Sequence, residues 1–166
     1  EEYKDFLKST AAHRFDGITV VLDCANGASS ALAYDVFTDL GAKVYSRADE
    51  PDGININSKC GSTHPERLQE LVAESDADVG FAFDGDADRC LAVDAQGNVI
   101  DGDQLIAIAA ADMKRRGTLK KDTAVVTVMS NMGFWKFAEE EGIHVEKTSV
   151  GDRYVLERMR EQGWNI

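Results

Sequence analysis

Asp78–Cys90 reads DVGFAFDGDADRC. It joins an apolar run to three aspartates on alternate residues, Asp84, Asp86 and Asp88, with Arg89 directly after them. The first part has the branched and aromatic content of a strand buried within a sheet. Its abrupt end in a glycine-containing acidic turn puts the charges at the edge of that sheet. Two carboxylates about 4 Å apart repel by roughly 4 kcal/mol at an effective dielectric of about 20. A cluster this dense requires either proton uptake or a cation among the acids.

The same alternation of short apolar runs and amphipathic stretches extends outward in both directions. Upstream, ITVVLDC (18–24) reads as a buried strand. Gly27 breaks the chain, and Ser29 or Ser30 is placed to cap a helix that runs to about Leu40 and stops at Gly41. AKVYSRA (42–48) is a second strand. PERLQELVAES (65–75) is a helix with proline at its first position and Leu68 and Leu71 on one face. Downstream, CLAVDAQGNVI (90–100) reads as a hairpin, and a helix from about Gln104 to Arg116 ends in basic residues and Gly117. After the polar segment GTLKKD come a strand (TAVVTVM), a helix (Gly133 to Glu141), a strand (HVEKTSV) and a helix (Arg153 to Gln162).

This order predicts an α/β chain of two consecutive three-layer units, with mixed, mostly parallel sheets covered by helices. The boundary is expected at Gly117, giving units 1–117 and 118–166. The second is small for an independent core. The chain is therefore expected to be part of a longer polypeptide, truncated at the C-terminal end of its second unit.

Thirty acidic residues against 18 basic ones give a formal net charge of -12. That balance argues against nucleic acid or an anionic membrane as partner, but not against small phosphorylated molecules, because local cations reverse the field within a site. The three cysteines, Cys24, Cys60 and Cys90, are odd in number and lack metal-type spacing, so a reducing cytoplasm is expected. EEYKDFLKST shows no secretory leader, and the longest apolar run, Leu105–Ala111, is too short to cross a bilayer. Oligomeric state, a homodimer included, is left open.

The residues of the acidic turn themselves point to a divalent cation. Side chains at alternate positions of extended backbone share a direction, so Asp84, Asp86 and Asp88 can converge. Gly85 and the small Ala87 let the loop curve. Hard oxygen ligands suit Mg²⁺, which completes its shell with water or phosphate. The end of a buried strand is also where open α/β sheets bind ligands. A calcium EF-hand loop needs glycine and glutamate at its sixth and twelfth positions; from Asp84 these hold Arg89 and Ala95, and that reading fails. Arg89 is either an ion-pair partner of the acids or a fork for phosphate, and the second role is preferred.

FDGDADRCLAVD resembles the metal-binding loop of the α-D-phosphohexomutase superfamily. VLDCANGASS, PDGININ with CGSTHPE, GNVIDGDQ, VMSNMGF and VGDRYVLERM resemble further stretches of that superfamily, in its order. The family often has glycine where this chain has Ala87. The resemblance implies a four-domain enzyme of which this chain covers the second domain and most of the third. It implies phosphoryl transfer on a hexose or hexosamine phosphate through a bisphosphate intermediate, with a phosphoserine in a domain this chain does not contain. It further implies Mg²⁺ on Asp84, Asp86 and Asp88, Arg89 near the transferred phosphate, and Gly151, Asp152 and Arg153 facing the substrate.

Two likenesses mislead. Ser62-Thr63-His64-Pro65 looks like a nucleophile segment but reads first as a capped helix start. Asn26-Gly27 looks like a phosphate-cradling turn but lacks the glycine fingerprint, so a structural turn is preferred. A rival of a different class is a non-catalytic Mg²⁺-binding phosphoacceptor module, which wants a lysine on a later strand that this chain does not convincingly offer.

Overall fold

The chain's computed structural model describes all residues 1–166, which divide into two units, Glu1–Ile100 and Asp101–Ile166. The first contains α1 (Glu2–Ser9), β1 (Thr19–Asp23), α2 (Ala33–Asp39), β2 (Lys43–Arg47), α3 (Glu66–Ser75), β3 (Val79–Phe83), β4 (Cys90–Asp94) and β5 (Val99–Ile100). The second contains α4 (Gly102–Arg115), β6 (Thr123–Thr127), α5 (Met132–Glu140), β7 (His144–Thr148) and α6 (Asp152–Gln162). Both are α/β, as expected.

In the first unit the strands lie in the order β2-β1-β3-β4-β5. β2, β1 and β3 run parallel, while β4 and β5 are antiparallel additions through the hairpin. β1 shows why the sheet is covered on both faces. Val20 and Leu22 pack with Ala33 and Phe37 of α2, whereas Val21 points the other way into Leu68 and Val72 of α3, joined by Ala82 and Val93. Successive side chains of a strand alternate faces, so a wholly apolar strand needs two helical layers. Leu68 is 0 % exposed, and full burial of such a side chain contributes about 1.5–3 kcal/mol.

The second unit pairs β6 and β7 in parallel. Ala124 and Val126 of β6 form a core with Ala110 of α4 and with Phe134 and Ala138 of α5, and α6 packs against β6 and β7.

Local expectations are corrected in three places. The boundary falls between Ile100 and Asp101 rather than at Gly117, because Ile106, Ala107, Ala110 and Met113 of α4 belong to the second unit's core. The serines after β1 do not cap α2. Ser29 Oγ donates back to the Cys24 carbonyl at 3.2 Å, a 3-10 turn spans Ala28–Ala31, and α2 starts later without a side-chain cap. Pro65 is the N-cap of α3, with no side-chain cap there either. α4, by contrast, has a reciprocal cap: Asp101 accepts from the Gln104 amide, and Gln104 accepts from the Asp101 amide, both at 2.9 Å.

Candidate functional site

β1 and β3 are parallel neighbours, so their C-terminal ends emerge side by side at one edge of the first sheet. The acidic turn leaves β3 there. Asp84 is buried, 2 % exposed, while Asp86 and Asp88 are exposed. The turn closes locally through Ala87 N–H donating to the Asp84 carbonyl at 3.1 Å. Ala87 sits at φ +60°, the left-handed region that glycine occupies without cost.

One carboxylate oxygen from each of Asp84, Asp86 and Asp88 lies within 4.8 Å of the others. Opposite ligands of an octahedral Mg²⁺ are about 4.2 Å apart, given bonds of roughly 2.1 Å. Three ligands include at most one opposite pair, and adjacent ligands are about 3 Å apart, so side-chain rotations that close the pairs by up to about 2 Å would let the trio share one small cation. The charges agree with that fit. Asp88 is pushed above the usual carboxylate range, first by the charge of Asp86, then by desolvation and by Asp84. Like charges crowded together favour a proton or a metal ion between them.

Asp84 behaves differently. Burial pushes its carboxyl up, but hydrogen bonds from the Arg89 side chain and backbone outweigh this and hold it below the usual range. Arg89 Nε donates to Asp84 Oδ2 at 2.6 Å, and Arg89 N–H donates to Oδ1 at 3.1 Å. Asp88 Oδ1 is 3.7 Å from the same Nε. The preferred phosphate-facing role of Arg89 is thus not the contact observed; the ion-pair alternative is. Its side chain nevertheless stays 71 % exposed, and its terminal nitrogens make no hydrogen bond to the protein.

Gly151, Asp152 and Arg153 lie in the second unit, just after β7, where α6 begins. Gly151 has φ +134° and precedes the helix as its N-cap. Asp152 is in the first turn, complementing the helix dipole, and Arg153 Nε pairs along the helix with Glu157 Oε1 at 2.8 Å. Asn131 caps α5 by accepting from the Phe134 amide at 3.1 Å.

Sequence reasoning missed the bracing of the acidic turn. Asn26, at φ +49°, sends Nδ2 toward the Asn55 carbonyl (3.4 Å) and accepts from the Glu50 amide (3.2 Å). The loop after β1 is thereby tied to the 50–57 segment. The adjacent positive φ at Ala25 (+54°) was the least legible feature, since alanine gives no signal for it. A cleft of about 610 Å³ lies between α1, α2 and β3, and its lining includes Tyr3, Phe37, Phe81, Phe83, Asp86 and Ala87. Its largely apolar lining does not suit a sugar phosphate.

Residues 1–97 match the family model described as phosphoglucomutase/phosphomannomutase, alpha/beta/alpha domain II, and residues 101–166 match that of domain III. The chain is 54% identical over 166 residues to the phosphoglucosamine mutase of Oceanobacillus iheyensis, covering 100% of this chain and 37% of that protein. The Bacillus subtilis phosphoglucosamine mutase matches at 54% identity with the same coverage. Among solved structures, a phosphoglucomutase/phosphomannomutase family protein from Burkholderia thailandensis superposes with a TM-score of 0.83 at 26% identity, covering 98% of this chain and 36% of that one. The chain thus spans 37% of the length of these curated relatives. No helix is long and apolar enough to cross a membrane.

Proposed function

The chain belongs to the phosphoglucomutase/phosphomannomutase family, and from that premise we propose that it is the metal-bearing portion of a cytoplasmic phosphoglucosamine mutase. The reaction is interconversion of glucosamine 6-phosphate and glucosamine 1-phosphate through a bisphosphate intermediate. The phosphoserine that gives and recovers the phosphoryl group belongs to another domain of the same enzyme. The observation that carries the reading is the convergence of three carboxylates at the C-terminal end of β3, within a chain that is 54% identical along its whole length to phosphoglucosamine mutases.

Asp84, Asp86 and Asp88 would hold Mg²⁺, which when bound supplies a fixed positive charge beside the phosphoryl oxygens. The residues of this chain do the rest of the local work. Arg89 keeps the buried Asp84 ionised and aimed into the cluster. Its uncommitted terminal nitrogens are the candidate partners of the transferred phosphate, a bidentate geometry suited to guanidinium. Gly151, Asp152 and Arg153 form the substrate-facing turn of the second unit, and Arg153 would exchange Glu157 for a hexosamine phosphate oxygen.

The test is turnover by the complete polypeptide carrying this chain, with the 6-phosphates of glucosamine, mannose and glucose offered in turn with Mg²⁺. Preference for the amino sugar is expected. Preference for mannose or glucose phosphate would reassign the enzyme to a sister activity. The 166-residue chain alone should turn over none of them, lacking the phosphoryl-carrying serine. A stable aspartyl phosphate formed on this chain by a small phosphodonor would instead favour a phosphoacceptor module.

A further inference from the structure

The stretches around Gly27 and Gly61 both end against the acidic turn. At Gly27 the backbone is extended (φ −113°, ψ −156°), a conformation open to any residue. What demands glycine is space. A Cβ there would penetrate the Gly85 carbonyl oxygen and come within 2.8 Å of the Gly85 carbonyl carbon and Cα. The next residue completes the contact, Ala28 N–H donating to the Gly85 carbonyl at 2.9 Å.

Gly61 approaches from another loop, at φ +77°. A Cβ there would lie 2.5 Å from the Phe83 carbonyl oxygen and 2.7 Å from Ala25 Cβ. Ser62 N–H donates to that same Phe83 carbonyl at 2.9 Å, and Asn57 N–H donates to the Ala25 carbonyl at 2.9 Å, linking the two braces. Gly85, inside the turn, is more forgiving. The nearest atoms its Cβ would meet belong to the side chains of Asn57 and Ile56, at 2.8 to 3.0 Å.

We propose that Gly27 and Gly61 are positioning residues for the metal loop: their side-chain-free backbones abut Gly85 and Phe83 and set where the three aspartates converge. The proposal rests on reading Asp84, Asp86 and Asp88 as cation ligands. It gives the VLDCANGASS and CGSTHPE stretches a task in that site without making any of their side chains a ligand. Groups that orient ligands from outside commonly control metal affinity by about 10- to 100-fold.

The experiment uses the 166-residue chain and Mn²⁺ alone as a paramagnetic probe. NMR line broadening reports affinity, and amide exchange of residues 84–90 without metal reports the loop. Gly27→Ala should weaken Mn²⁺ binding by roughly 10- to 100-fold and speed exchange across 84–90. Gly85→Ala, although it lies between the ligands, should do less. Unchanged exchange and affinity in Gly27→Ala, or a larger effect from Gly85→Ala, overturns the proposal. Should Gly27→Ala fail to fold, Ala28→Pro removes the amide that reaches Gly85 and sets a ring carbon against the Gly85 carbonyl oxygen instead. It should loosen the same amides, and wild-type exchange there would overturn the proposal equally. No broadening at 84–88 in the unsubstituted chain would defeat the metal reading, and the metal-free exchange comparison would then judge the bracing by itself.

Discussion

Arg89 grips Asp84 twice, its backbone amide on Oδ1 at 3.1 Å and its Nε on Oδ2 at 2.6 Å. Both oxygens of a buried carboxylate are therefore committed to donors from a single residue. Asp86 and Asp88, on the same turn, are exposed. The three aspartates are chemically alike in sequence and energetically unlike in the fold.

Asp84→Asn should accordingly be the costly substitution of the three. Either orientation of the amide turns an NH₂ toward an Arg89 donor, leaving buried groups unmatched at about 1–3 kcal/mol. Asp86→Asn should stay within about 0.5 kcal/mol of the parent, as surface changes usually do. Urea unfolding of the metal-free chain measures both; equal losses would contradict the division.

In the complete enzyme, Asp86→Asn should remove most mutase activity and abolish the rise in Tm produced by millimolar Mg²⁺, since ligand binding to the folded state alone raises stability. Without Mg²⁺ its Tm should match the parent or slightly exceed it, because Asp88 is relieved of its strongest like-charge neighbour. Normal rates and normal Mg²⁺ dependence would remove Asp86 from the ligand set.

α1 buries none of its residues fully and is tied to α2 by Lys4 to Asp35 and by Lys8 Nζ to Asp39 Oδ2 at 2.8 Å. The hydrogen bond from Lys8 holds the Asp39 carboxyl below its usual range. A depressed folded value means the tether contributes above the unfolded aspartate pKa of about 3.9 and is lost as pH falls through the folded one. NMR shifts of Glu2–Ser9 should therefore move toward coil values in acid below about pH 4. They should move the same way at neutral pH in Asp39→Asn or about 1 M salt. Invariant shifts would show that apolar contact, not charge, docks the helix.

Leu68→Ala should cost about 2–5 kcal/mol, because Leu68 is 0 % exposed beneath the sheet, against Val21 and Val72. Asp101→Ala, which removes half of the α4 capping box, should cost only about 1 kcal/mol. Denaturant midpoints rank the two, and a reversed order would mean the sheet's lower core repacks freely.

What the amino-acid order settled by itself was local and periodic. The run VVL of β1, the alternation at Leu68 and Leu71, the hairpin turn at Gln96–Asn98 and the helix-ending glycines all act through neighbours a few residues apart. The acidic turn belongs to the same class, since three aspartates on alternate residues carry their own proximity. What only the tertiary structure decided depends on segments distant in the chain. Placing β1 parallel to β3 brings Gly27 against Gly85, and the apolar side of α4 goes to the core of β6 and α5. Arg89 turned to Asp84 because a buried carboxylate next to a guanidinium gains more from pairing than from remaining bare. That choice follows from burial, which no local pattern states.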